Sequence, residues 1–145
     1  MTLREMTVED LDQVAAIEAV TVRPPWTKEG FFSFLIKKET LFVVVEEKGT
    51  ILGYAGMLWA LDEGDITNVV VRPERQREGI GAFLLDGLIR VAEDFGITLI
   101  HLDVREGNGV ARRLYERAGF VQDGRRENYY TEPKEAAILM SRRKQ

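Results

Sequence analysis

The stretch RQREGIGAFLL, Arg75 to Leu85, puts three charged side chains ahead of two glycines one residue apart, and then opens into an apolar pattern at helical spacing. A helix start leaves backbone N–H groups unpaired and adds the positive end of the helix dipole, so it attracts phosphate without needing a lysine. Glycine lets such an anion come close to the main chain. A dinucleotide-binding fingerprint requires a third glycine where Leu84 stands, and a triphosphate loop requires Gly-Lys-Ser/Thr after a four-residue gap. Neither is present. Two glycines also suit a plain strand-to-helix turn, so the loop has to be read with its surroundings.

Working outward, Ile80, Leu84, Leu88, Val91 and Phe95 recur at helical spacing until Gly96, a residue suited to the position just past a helix end. DITNVVV, Asp65 to Val71, precedes this helix as a strand closed by Arg72-Pro73, and ITLIHLDV follows it as another. The unit from Asp65 to Val104 is therefore a βαβ crossover whose strands are expected to be parallel neighbours. Upstream, LFVVVEE and the run from Ile51 to Leu61 form a hairpin about Gly49. A TLREM strand opens the chain. Thr7 and Asp10 make a capping box for a helix with Val8, Leu11, Val14 and Ala15 on one face. A second helix starts at Thr27, after Arg23-Pro24-Pro25-Trp26, and carries Phe31, Phe34 and Leu35. Downstream, Asn108 to Ala118 is a short helix stopped by Gly119, and FVQDGRRENYY and EAAILMSR are the closing strands. This order predicts an α/β protein with a mixed sheet and helices on its faces.

The 145 residues, 45% of them hydrophobic, are expected to form a single domain, 1–145. No apolar run approaches the ~20 residues that span a bilayer, and MTLREMTVEDL lacks the basic-then-apolar layout of a secretory signal, so a soluble, cytoplasmic, unprocessed protein is expected. The absence of cysteine excludes disulfides, thiolate metal sites and a thiol nucleophile. His101 is the single histidine, which speaks against a zinc centre, and no metal is expected. A formal charge of −4 argues against direct nucleic-acid binding. Positive charge is local, around Arg72, Arg75 and Arg77.

Gln76-Arg77-Glu78-Gly79-Ile80-Gly81 resembles the Q/R-x-x-G-x-G/A signature of the GCN5-related N-acetyltransferases (GNAT), and the order of elements is similar to theirs over nearly the whole chain. The resemblance implies the GNAT fold: a central, mostly antiparallel sheet with one parallel crossover and helices on both faces. It implies acetyl-CoA as co-substrate, with its pyrophosphate on the amides of Arg77, Glu78, Gly79, Ile80, Gly81 and Ala82. A CoA pyrophosphate needs two close approaches of backbone, whereas the third glycine of a dinucleotide site serves helix packing. LDEGDITNVVV, LDVREGNGVARRLYERAGF and RRENYY narrow the resemblance to the RimI-like branch, whose members acetylate the N-terminal α-amine of a ribosomal protein. Archaeal-type and eukaryote-type N-terminal acetyltransferases share much of this pattern.

Acetyl transfer from a thioester needs a neutral amine, a donor for the carbonyl oxygen as it gains charge, and a proton for the departing sulfur. Near pH 7.4 roughly a quarter of α-amines are neutral but only ~0.1% of lysines, so an α-amine enzyme needs only a modest base. The resemblance implies Tyr115 as the acid and Asn108 as a contact for the pantetheine arm. Their separation of two helical turns puts Asn108, Ala111 and Tyr115 on one face about 10 Å long. A packed helix aromatic and a plain N-cap are the bland readings of these two residues. For the base, RimI-like sequences carry glutamate where this chain has the shorter Asp103, so either water fills the gap or another group acts. Asp65, in the position other branches use, and His101, on the same strand face as Asp103, are the rivals. The resemblance further implies a strand bulge near Val69, Val70 and Val71, whose backbone N–H meets the carbonyl oxygen. It implies an acceptor path between Trp26 and the segment Arg125 to Tyr130, with Tyr129 and Tyr130 bonding the peptide backbone and Glu127 meeting a positive end charge. Lysine or small-amine acetylation and a non-catalytic acyl-CoA-binding module are the alternatives, and the oligomeric state is open.

Overall fold

The computed structural model describes all 145 residues and contains seven strands: β1 (Thr2–Glu5), β2 (Thr40–Glu47), β3 (Thr50–Ala60), β4 (Glu63–Val71), β5 (Leu99–Arg105), β6 (Val121–Thr131) and β7 (Lys134–Arg143). Four helices accompany them: α1 (Leu11–Thr21), α2 (Lys28–Leu35), α3 (Ile80–Asp94) and α4 (Gly109–Arg117). The strands make one sheet in the order β1-β2-β3-β4-β5-β7-β6. Every neighbouring pair is antiparallel except β4 and β5, which are parallel as the crossover requires.

Two apolar clusters lie on opposite faces of the sheet. Under α3 and α4, Leu84, Leu85 and Leu88 pack on Val43, Val45, Leu52, Ile100, Leu102 and Ile138. Under α1 and α2, Leu11, Val14, Ile17 and Phe31 pack on Phe42, Val44, Tyr54 and Val70. β2 and β3 sit between the clusters and read as nearly continuous buried runs, as strands covered on both sides do. The hairpin joining them turns through Lys48 (φ 51°) and Gly49 (φ 83°), both left-handed, as a two-residue turn with the primed twist demands.

Three element edges differ from the sequence pattern. Val8 lies in a 3-10 turn, Val8–Asp10, and is exposed; α1 begins after it and buries Ile17 and Glu18 instead. Phe95 lies past the end of α3 and half out of the core, stacked on Trp59 at 6.3 Å between centroids. Leu61, taken as the end of a strand, occupies the β3–β4 turn with φ 56° and is almost fully exposed.

The capping box closes as the sequence indicates. The buried Asp10 carboxylate accepts from the Thr7 backbone N–H at 2.8 Å and from both terminal nitrogens of Arg4, each at 2.8 Å. The Arg4 hydrogen bonds, and then the Thr7 amide, hold Asp10 below the usual carboxylate range against the opposing effect of burial. A depressed folded-state value contributes stability that is present above about pH 4 and is lost as pH falls through the lowered value. The melting temperature is therefore expected to drop on acidification below about pH 4. Asp10→Asn should be less stable at neutral pH and show a flatter acid limb, which calorimetric melting across pH checks.

Candidate active site

The parallel pairing of β4 with β5 covers only Glu63–Leu99, Gly64–Ile100 and Asp65–His101. Beyond these three pairs β4 continues to Val71 and β5 to Arg105, with no pairing between them. The cause lies in β4. Opposite β3 the register steps from Met57–Ile66 to Gly56–Asn68, so Thr67 is an extra residue and β4 bends there. After the bulge, the Arg72 N–H donates to the Leu52 carbonyl at 2.7 Å, which fixes the alternation: Asn68, Val70 and Arg72 turn their backbone groups to β3. Val69 and Val71 therefore turn theirs into the gap. The Gln76 carboxamide donates to the Val71 carbonyl at 3.3 Å from that side. The side chain of Val70 lies in the core under α1, away from the gap.

α3 begins beside this gap. Gly79 caps it with φ 82°, a left-handed value that suits a residue without Cβ, and Arg77 is left-handed too at 67°. None of the backbone N–H groups of Arg77 to Ala82 has an acceptor in the protein; the first bond of the turn is Phe83 N–H to Gly79 O, 3.1 Å. A Cβ on Gly81 would meet Leu114 at 3.5 Å and Val71 at 3.8 Å, so that glycine forms the floor between helix and strand. A cleft of roughly 680 Å³ runs over these groups, from Val69 and Val71 past Gln76, Arg77, Gly79, Ile80, Gly81 and Ala82 to Asn108 on the opposite wall. Glu78 turns aside to pair with Arg75 at 3.0 Å.

Of the three arginines near the glycine loop, only Arg77 faces the cleft. Arg72 bonds to Ile51 O and Gln13, and Arg75 is paired with Glu47 and Glu78. Arg77 lines the cleft, and α4 adds Arg113 and Arg117, which the sequence reading passed over. None of these three makes a salt bridge within the protein. Three unpaired guanidiniums around a helix start with unpaired donors form a seat for a polyphosphate. The recurrence of arginine every fourth residue beside Leu114 was the available signal.

On α4, Tyr115 is 8% exposed and meets Phe120 edge-on at 5.8 Å. Its hydroxyl has no hydrogen-bond partner in the protein, yet it is not among buried polar atoms sealed without one, so the oxygen keeps contact with solvent. Burial first, and Tyr130 second, push its pKa up to about 12. Asn108 caps α4, its Oδ1 accepting from the Ala111 N–H at 3.1 Å. The N-cap expected for that residue is present, and Asn108 also lines the cleft.

Asp103 stands on β5 two residues beyond the last pairing with β4, beside the gap. The Tyr129 hydroxyl donates to its Oδ2 at 2.8 Å. This contact needs the irregularity of β6, where Arg126 pairs with Ala137 and Tyr130 with Glu135, so that Glu127, Asn128 and Tyr129 arch out opposite one residue. Asn128 takes the left-handed value of 53° that the arch requires. Tyr130 packs edge-on to Tyr129 at 5.1 Å, with the Arg105 guanidinium 4.2 Å above its ring. Burial, then Asp103 and Tyr129, raise the Tyr130 phenol to about 12. Asp103, Tyr115, Tyr129 and Tyr130 thus gather at one end of the gap. Asp65 lies at the closed end, level with His101, which bonds Glu63 at 2.9 Å. Glu127 is held by Arg125, which also binds Glu106. Trp26 stacks on Phe34 at 4.4 Å and borders the cluster under α1 and α2.

A seven-stranded mixed sheet opened on one side of its single parallel seam, with an unpaired helix start at the opening, is the arrangement of an acetyl-CoA-dependent acyltransferase fold. The Acetyltransferase (GNAT) family model matches residues 6–120, and the chain belongs to that family. Among its relatives, the [ribosomal protein bS18]-alanine N-acetyltransferase of Escherichia coli is 33% identical over 142 residues, covering 97% of this chain and 95% of the relative. The protein of the same name from Haemophilus influenzae is 38% identical over 135 residues, 91% of each chain. The crystal structure of the ribosomal-protein-S18-alanine N-acetyltransferase from Escherichia coli superposes with a TM-score of 0.90 at 33% identity, covering 98% of this chain and 92% of that one. Ard1 from Thermoplasma volcanium, 24% identical, shares the fold at a TM-score of 0.90 over 99% and 97% of the two chains.

Proposed function

We propose that this protein, acting as one cytoplasmic domain, moves an acetyl group from acetyl-CoA to the N-terminal α-amine of a ribosomal protein, by direct transfer while both substrates are bound. The observation that carries the reading is the split between β4 and β5. It offers unpaired N–H donors at Val69 and Val71, and Asp103 stands on β5 beyond the last of the three pairs. The names of the relatives above support the choice of acceptor.

The residues fit the co-substrate. Arg77 to Ala82 present their amides, with Arg113 and Arg117, to the phosphates, and Asn108 and Ala111 flank the pantetheine arm. The Val69 N–H, fixed by the bulge at Thr67, meets the carbonyl oxygen as it gains charge; a preorganised donor of this kind contributes about 3–4 kcal/mol at the transition state. The amine attacks the carbonyl carbon, the C–N bond forms and the C–S bond breaks. Asp103, directly or through water, receives the proton that the nitrogen sheds. Tyr115 donates to the departing sulfur and is reprotonated from solvent.

Short peptides beginning with alanine or serine should be acetylated at the free N-terminus, whereas N-terminally blocked copies containing lysine, and polyamines, should not react; mass spectrometry reads the modified atom. Acetylation of the blocked peptides at comparable kcat/KM would refute the assignment. Within the same assay, Asp103→Asn should lower kcat/KM by 10²-fold or more, as loss of a general base does. Asp65→Asn, at the closed end of the seam, should leave kcat/KM within about twofold of the parent. The reverse pattern would move the base to Asp65.

A further inference from the structure

Glu18, in the penultimate turn of α1, is 1% exposed and has no part in the chemistry above. Its surroundings consist of donors from three separate elements. Oε1 accepts from the Tyr54 hydroxyl of β3 at 2.6 Å and from the Asn68 carboxamide of β4 at 3.4 Å. Oε2 accepts from the Trp26 backbone N–H at 3.1 Å, just before α2. A carboxylate is costly to bury unless donors surround it, and each of these partners can donate.

The position of those partners gives the carboxylate its meaning. Asn68 is next to the bulge residue, and its Oδ1 accepts from the Thr67 hydroxyl at 2.9 Å. Glu18, Asn68 and Thr67 are therefore one hydrogen-bonded chain that ends on the bulge, and the residue after Asn68 is Val69, whose N–H faces the gap. The other oxygen holds the segment carrying Trp26, one wall of the acceptor path. On the acetyl-transfer reading above, we infer that Glu18 is a positioning residue. It fixes the bend of β4, and with it the Val69 donor, in register with the Trp26 segment, so that oxygen stabilisation and acceptor placement share one buried brace. Misplacing a reacting group by about 1 Å costs on the order of 10²-fold in rate, which is the scale on which such a brace acts.

The test uses Glu18→Gln, Asn68→Ala and their double variant, each measured for acetyl-CoA affinity by calorimetry, for melting temperature, and for kcat and acceptor KM. Glutamine keeps the shape but leaves one oxygen to serve donors that now occupy two. We expect kcat to fall about 10- to 100-fold and acceptor KM to rise in both single variants, with acetyl-CoA Kd within about twofold of the parent. The double variant should be no slower than the worse single one, since members of one chain do not add. A kcat within about twofold of the parent in folded Asn68→Ala, additive losses, or parallel loss of cofactor binding and melting temperature would each overturn the role. Should Glu18→Gln not fold, Asn68→Ala decides alone. If the parent proves to acetylate another amine, the variants are assayed on that amine, so an incorrect acceptor and an incorrect role for Glu18 read separately.

Discussion

Tyr115→Phe is expected to lower turnover by 10²-fold or more while acetyl-CoA binds within about twofold of its original affinity, because general-acid contributions are of that order. The substitution removes one oxygen from a ring that is otherwise packed against Phe120, and that oxygen has no partner in the protein to lose. Folding and cofactor binding should therefore be spared. The pKa of about 12 adds a second expectation. A phenol held that high stays protonated throughout the working range, so activity should show no alkaline decline from Tyr115 up to about pH 10. Full transfer of its proton to a thiolate of ordinary pKa, about 8.5, is uphill by roughly three units. On the reading proposed above, Tyr115 would act first as a hydrogen-bond donor to the sulfur, with transfer completed as the acylated nitrogen sheds its own proton. A decline in kcat near pH 8 that vanishes in the phenylalanine variant would contradict this order of events.

Gly81→Asp should abolish detectable binding of acetyl-CoA while leaving the fold intact or slightly stabilised. Gly81 is the second residue of α3, where the helix dipole favours a carboxylate. Its Cβ position has ordinary contact distances to Leu114 and Val71, so the backbone accepts the side chain. The added charge falls where a pyrophosphate would rest. Two like charges about 4 Å apart at an effective dielectric of about 20 repel by ~4 kcal/mol, a loss of about a thousandfold in affinity. Calorimetry with acetyl-CoA reads the loss and thermal melting reads the fold. Retained binding would mean that the phosphates lie elsewhere. Gly81→Ala, with no charge, should stay near the parent.

The order of elements was legible because helix and strand periods in this chain seldom conflict: Leu84 to Leu88 repeats at helical spacing, and the buried runs of β2 and β3 are too short and too rich in valine for a helix. The glycine turn into α3 and the Asn108 cap of α4 were legible for the same local reason. What escaped depends on distant contacts. Phe95 continued an apolar pattern, but α3 had already ended and its ring found Trp59 instead. Arg113 and Arg117 have no local motif, and only the placement of α4 beside the gap brings them to the cleft. The bond from Tyr129 to Asp103 exists because three residues of β6 arch over one of β7, and no pattern in RRENYY announces an arch. Nothing local marks Glu18 either; Tyr54, Asn68 and Trp26 reach it from distant parts of the chain.

The three-pair seam between β4 and β5 divides the sheet into a four-strand leaf and a three-strand leaf, joined edge to edge over barely 10 Å. Along the rest of that boundary the main chain of Val69 and Val71 is left as an open ladder in the middle of the molecule rather than at its rim. An extended chain of amides laid between the leaves would restore the missing rungs, and on the acetyl-transfer reading proposed above the thioester arm would stand in for the strand segment that β5 does not supply.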